Sequence, residues 1–209
     1  MQIAGFFLGE RGFMSNIRFG RWLVVPMALA LASCGINSVP TREEAVNAAW
    51  GNVQNEYQRR ADLIPNLVST VKGYAVQEKT VLVAVTEARA KASSIQVKPE
   101  DLNNPAKLQQ FEQAQGQLGA SLGRLLVTME RYPDLKSNQN FLALQNELAT
   151  TENQITIARR DYNAAVQDYN TTIRTFPDLI GAKMIYGAKP KASFTATTPG
   201  ADSAPKVAF

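Results

Sequence analysis

Few side chains in this chain have chemistry to offer. Its 209 residues include no histidine and one cysteine, Cys34. Ser-His-Asp and Cys-His arrangements are therefore excluded. So are the Glu-x-x-His pairs that hold metals inside helical bundles. A carboxylate-only metal site is left, yet no calcium-loop spacing and no paired acidic motif occurs, and no glycine loop follows a strand to cradle a phosphate. What remains is a set of polar residues along otherwise apolar faces: Arg59, Arg60 and Asp62 in one stretch, and Glu152, Arg159, Asn163 and Asn170 in another. Glu152 and Arg159 are seven apart, as are Asn163 and Asn170, so each pair repeats on one face of a helix. Three readings fit them: a polar layer that fixes helix register, a pocket lined by Arg59, Glu152 and Arg159, or a solvated face. Trp50, Tyr57, Tyr162 and Tyr169 read as core rather than as a ligand cage. No catalytic residue, metal or cofactor is expected.

Cys34 has a different context. Arg18 and Arg21 precede the apolar run Trp22 to Leu31, and Leu31-Ala32-Ser33-Cys34-Gly35 follows. This order of charge, apolar stretch and small residues is that of a signal peptide. Its last five residues resemble the bacterial lipobox, which implies cleavage before Cys34 and acylation of its thiol. The alternative, a membrane span, needs roughly 20 apolar residues, and the run is about half that. Two or three acyl chains hold a protein stably where one is marginal. Met14 heads a tidier leader than Met1, so residues 1–13 are readable as an upstream extension from a misplaced start codon. Gly35 after the cysteine implies the outer membrane, periplasmic face, in a cell with two membranes.

Removing residues 1–33 leaves 176, enough for one domain with a core. Taking away Arg11, Arg18, Arg21 and Glu10 lowers the net charge from +4 to +2. That is too mild and too evenly spread for a nucleic-acid partner.

The elements that must position the polar residues are helical. Residues 34–41 read as a lipidated tether, and Thr41 with Glu44 as a capping box. Val46, Trp50, Val53 and Tyr57 then form one apolar face. At Arg59-Arg60-Ala61-Asp62-Leu63-Ile64-Pro65 the sequence predicts a helix break with Asp62 capping a new helix; a kink at Pro65 in one long helix is the alternative. The next helix carries Leu67, Val71, Tyr74, Ala75, Glu78, Leu82, Val85 and Ala88 and fades at Ser93-Ser94. Lys72, Lys79, Arg89 and Lys91 on it read as a solvated face or a basic stripe. A third helix covers about 106–131, with Gly116, Gly119 and Gly123 either allowing close approach or weakening it. In the fourth, Phe141, Leu148, Ile155, Tyr162, Tyr169 and Phe176 recur every seven residues, a heptad seam. The domain thus reads as 42–180, an all-α, antiparallel up-and-down four-helix bundle with long helices, followed by a mostly disordered tail over 181–209.

Three strings of residues give this bundle a family likeness. The first is Ala49-Trp50, then Arg59-Arg60-x-Asp62-Leu63-Ile64-Pro65-Asn66-Leu67-Val68, Val71-Lys72-Gly73-Tyr74, Glu78 and Ala88-Arg89. The second is Tyr132-Pro133-x-Leu135-Lys136 with Asn138, Phe141 and Leu144. The third is Glu147-Leu148, Glu152-Asn153, Ile155, Ala158-Arg159, Tyr162-Asn163, Val166, Tyr169-Asn170 and Phe176-Pro177. Together they resemble the LemA family over about residues 45–180. The resemblance implies a membrane-attached helical bundle with no established enzymatic activity. Two departures stand out. Relatives often begin with a transmembrane helix, and they often carry histidine where this chain has Ala61 and Gln77.

The expectation from the whole sequence is a non-enzymatic envelope lipoprotein. Its partners would be membrane lipid, through acylated Cys34, and unidentified envelope proteins, for which it acts as a scaffold or adaptor. The alternative is a carrier that holds a lipid or small molecule between helices.

Overall fold

The apolar stripe of the first helix does not stop at Tyr57. Ala61, Ile64, Leu67 and Val71 continue it in the same three-four rhythm, and all are buried. A single phase needs a single helix, and α1 runs unbroken over Ser38–Lys72 through Pro65. The predicted break and the Asp62 cap are therefore wrong. Asp62 lies in mid-helix, and the chain reverses later, at residues 73–78. The start also differs: the N-cap is Asn37, and Thr41 Oγ1 donates to the Asn37 carbonyl at 2.7 Å. The computed structural model describes residues 37–195. The leader, Cys34 and residues 196–209 lie outside the described residues.

After α1 come α2 (Lys79–Ser94), a 3₁₀ turn (Pro99–Asn103), α3 (Pro105–Met129), the short α4 (Pro133–Lys136), α5 (Gln139–Thr172) and α6 (Asp178–Met184). No strand occurs among the described residues. Asparagines cap the two later long helices: Asn104 Oδ1 accepts from Ala106 N–H at 3.1 Å, and Asn138 Oδ1 from Phe141 N–H at 3.1 Å. Pro105 follows its cap at the position where a missing N–H costs nothing.

Ion pairs and one hydrogen bond, Lys91 to Gln117, fix the directions. Arg42 meets Asp168 and Arg59 meets Glu147, so α1 and α5 run antiparallel over most of their length. Glu78 meets Arg131 and Lys91 meets Gln117, so α2 and α3 do the same. The result is the expected all-α up-and-down bundle, with one irregularity. With 16 residues, α2 is less than half as long as α1, which has 35. It lines only the end of the bundle that holds Leu67, Leu82 and Leu125. At the other end the linker and the chain's later segment fill its place: Val97, Leu102 and Phe194 are buried with Trp50 and Tyr162.

That later segment corrects a second expectation. Residues 181–195 are not disordered. Gly181 and Ala182 of α6 are buried, the chain turns at Gly187 in the left-handed region (φ 56°) that favours glycine, and residues 188–195 return along α5. The α5 seam holds from Phe141 through Leu148, Ile155, Tyr162 and Tyr169. Phe176 falls past the end of the helix and is 79% exposed, contrary to its assignment in the seam. Tyr74 likewise turns outward, its hydroxyl accepting from Asn138 Nδ2 at 2.8 Å. The α3 glycines do not mark a close approach. A Cβ on Gly116 or Gly123 would meet nothing within 4 Å, and one on Gly119 only Arg60 Nη1, at 4.0 Å.

Candidate functional site

The core falls into two clusters, one around Trp50 and Tyr162, the other around Leu67 and Leu125. Arg60 of α1 crosses the level between them and is 4% exposed. Its Nη1 donates to Glu152 Oε2 of α5 at 2.8 Å, and its Nη2 to Gln115 Oε1 and carbonyl of α3 at 2.8 and 3.2 Å. The guanidinium also lies 5.1 Å from the Tyr57 ring centroid, a cation–π contact. Its Nε has no hydrogen-bond partner. Thr151, fully buried beside Glu152, donates back to the Glu147 carbonyl at 2.8 Å.

Arg159, two turns further along α5, donates to Glu112 Oε1 of α3 at 2.9 Å. Burial pushes the Glu112 carboxyl above its ordinary value, and Arg159 and the Thr195 backbone only partly pull it back. These groups border an open cleft of about 600 Å³, lined among others by Tyr57, Arg60, Glu112, Gly116, Glu152 and Arg159.

Of the residues singled out in the sequence, Arg60, Glu152 and Arg159 share this cleft. Arg59 and Asp62 do not. They lie on exposed surface, Arg59 with Glu147 and Asp62 accepting from Gln58 Nε2 at 2.7 Å. Asn163 borders the adjacent groove. Gln115 and Glu112 were missed. Gln115 carried a signal, since it interrupts the apolar run Leu108, Phe111, Leu118, Leu122 on the inward face of α3. Among the described residues no group of three or more acidic, cysteine or histidine side chains is placed to hold a metal ion.

The groove is built for a polypeptide backbone. Asn163 Oδ1 accepts from Phe194 N–H at 2.8 Å while its Nδ2 donates to the Phe194 carbonyl at 3.1 Å. One heptad on, Asn170 does the same to Lys191, at 2.8 and 2.9 Å. The spacings agree: seven helical residues rise about 10.5 Å, and three extended residues span about 10 Å. Tyr162 Oη donates to the Ala192 carbonyl at 2.8 Å, and Ala192 N–H to the Leu102 carbonyl at 2.7 Å. Arg159 Nη2 donates to the Thr195 carbonyl at 3.3 Å, and the Thr195 backbone helps to lower the Glu112 carboxyl. Both backbone groups of Lys191, Ala192 and Phe194 are thus partnered by the rest of the chain.

The side chains add an anchor. The Phe194 ring lies 5.9 Å from Trp50 and 5.3 Å from Tyr162, with Arg159 above it at 4.6 Å. Lys191 pairs with Glu43 at 2.8 Å. Burial raises the Tyr162 phenol, and raises Tyr169 to about 12 with help from the Glu43 charge, so both stay neutral.

No helix among the described residues is long and apolar enough to cross a membrane. The sequence model of the LemA family matches residues 49–209. Protein LemA of Metamycoplasma hominis is 27% identical over 140 residues, which cover 67% of this chain and 60% of that protein. Magnetosome proteins MamQ 1 and MamQ 2 of Paramagnetospirillum magneticum are each 27% identical over 142 residues, covering 60% of this chain and 52% of theirs. The chain therefore spans between half and two thirds of the length of these relatives. The family match takes in the parts of α1, α3 and α5 that form the polar layer, together with the segment held in the groove, and on that extent the chain belongs to the LemA family.

Proposed function

We propose that this chain is a cell-envelope lipoprotein, anchored through Cys34, that serves without catalysis as a scaffold or adaptor for membrane-associated partner proteins. In a cell with two membranes it faces the periplasm from the outer membrane. The observation that carries the reading is the paired grip of Asn163 and Asn170 on Lys191 and Phe194. An amide matched to one residue's N–H and C=O recognises an extended backbone whatever its side chains. The bundle's own segment occupies the groove at rest, and a partner's extended segment exchanges for it. The polar layer supports this reading from the other side. Arg60 with Glu152, and Arg159 with Glu112, are acids and bases engaged with one another. Such a layer suits a fixed helix register.

The test is a photo-cross-linking residue at Gln113, exposed on the cleft that Thr195 also lines, in cells. With Phe194→Ala weakening the resident segment, the scaffold reading expects cross-links to other envelope proteins at a higher yield than in the wild type. Products confined to the chain's own tail in both would refute it.

One observation favours the carrier reading: the cleft is open, and Arg60, which lines it, has a buried Nε without a hydrogen-bond partner. Native mass spectrometry of the purified protein showing a bound small molecule or lipid would shift the choice to it.

A further inference from the structure

The first residue of α1 is tied to α6. The Ser38 hydroxyl donates to Asp178 Oδ1. The end of the bundle where the chain arrives from Cys34 is therefore also the end that carries α6. Three residue steps separate Cys34 from Asn37, a reach of at most about 11 Å. The sequence suggested a longer tether, over 34–41, but α1 starts at Ser38 and shortens it. An acylated Cys34 has its backbone at the headgroup level, so this end of the bundle cannot stand far off the bilayer.

What α6 presents there is apolar. Phe176 lies just before α6, and Ile180 and Met184 stand four apart on one face of it. The three are 79%, 53% and 82% exposed, and Ile185 beside them 59%. Gly181 and Ala182 are on the buried side. Arg174, Lys183 and Lys189 are exposed around the stripe. From 174 to 189 the single acid is Asp178, already bonded to Ser38. A large apolar face ringed by cations is the pattern of a segment lying in the interface of an anionic bilayer, its apolar side sunk about 5–10 Å. That depth is comparable with the reach of the tether.

We propose that the exposed apolar surface of Ile180 and Met184 on α6 and the neighbouring Phe176 and Ile185, with Arg174, Lys183 and Lys189 around it, is a second membrane contact beside the lipid anchor. Lipid alone leaves the bundle free to swivel. Two contacts at one end set the axis of α1 and α5 away from the membrane and carry the groove of Asn163 and Asn170 outward at a fixed height. The proposal rests on the lipoprotein reading.

The test uses lipidated, processed protein in vesicles of phosphatidylethanolamine and phosphatidylglycerol that contain brominated lipid. Tryptophan is placed by Met184→Trp, or by Val127→Trp at the far end of the bundle as a control, each against the constant background of buried Trp50. The expected result is a blue-shifted emission for Met184→Trp, with quenching at least about twofold above the control, as for a side chain at the acyl boundary. Lys183→Glu with Lys189→Glu should reduce that quenching in the anionic vesicles. Equal quenching of the two probes in protein that carries the acyl label would overturn the proposal. So would the same blue shift in the absence of vesicles at high protein concentration, which would assign the face to a second copy. A wild-type protein that takes up no labelled palmitate would refute the anchor, and the proposal with it.

Discussion

Arg89 Nε donates to the Ala61 carbonyl at 2.7 Å, and this is the carbonyl that Pro65 leaves without its helical donor. A proline inside a helix removes the bond to the residue four before it and crowds that carbonyl, at a cost of about 3 kcal/mol. Here the defect is on the α1 face toward α2, and the next helix supplies the missing donor. Arg89 therefore does not belong to a solvated or basic stripe; it repairs α1.

Arg89→Met should leave the Ala61 carbonyl unpaired in a largely buried place and cost about 1–3 kcal/mol. Pro65→Ala restores the helical N–H, so in that background the same change should cost about 1 kcal/mol less. Denaturant unfolding of the four proteins in the cycle gives the coupling. Strict additivity would mean that the two residues act separately.

The asparagine pair has a sharper consequence. Asn163→Asp and Asn170→Asp each remove a donor and set an anionic oxygen near a carbonyl. Each should weaken the hold on the extended segment by about 1–3 kcal/mol. Together they should raise amide exchange in residues 188–195 to nearly that of a free chain, while Trp50 and Leu125 stay protected. Wild-type protection of 188–195 in the double variant would show that Phe194 alone holds the segment.

Gly123 is exposed in the middle of α3, and a Cβ there meets nothing. Gly123→Ala should therefore stabilise by about 0.5–1 kcal/mol, mainly by restricting the unfolded chain. A lower thermal midpoint would mean that the glycine serves an approach not present in this state.

How much of this was legible varies by element. The heptads of α5 and the stripe of α1 were plain, because burial imposes the 3.6-residue period on apolar side chains. The continuity of α1 through Pro65 was also legible, since Tyr57, Ile64, Leu67 and Val71 keep one phase, and a lone proline is a weaker signal than a long stripe in phase. The groove was half visible. Asn163 and Asn170 each follow a seam tyrosine at the heptad interval, but what they bind is main chain, and main chain has no signature in a sequence. Phe194 was hidden for a related reason: one aromatic in a Pro, Ala and Thr setting reads as tail until its pocket between Trp50 and Tyr162 exists. Glu112 looked like any exposed glutamate, because its burial depends on Thr195, which comes from that same tail.

The anchor has its own test. Cys34→Ser should keep the chain unprocessed or release it from membranes, and should abolish palmitate labelling. On the lipoprotein reading, two or more acyl chains would account for stable attachment, and the α6 face alone would leave binding weak and salt-sensitive. A variant that is cleaved and fractionates as the wild type does would remove the lipoprotein reading.

The pH dependence of folding follows from Glu112, where two effects compete. Burial disfavours its carboxylate; Arg159 and the Thr195 backbone favour it. The carboxyl lies above its ordinary value of 4.5, so burial wins. An acid whose folded value is raised binds its proton more tightly folded than unfolded. Its contribution to stability is therefore full below pH 4.5 and is lost as pH rises through the raised value. Glu112→Gln keeps a polar group against Arg159 and Thr195 but has no charge to bury. The wild type should lose stability relative to this variant as pH rises above 4.5, by denaturant midpoints taken on both. A gap that stays constant above that pH, or that moves in favour of the wild type as pH rises, would show that the Arg159 pair outweighs burial.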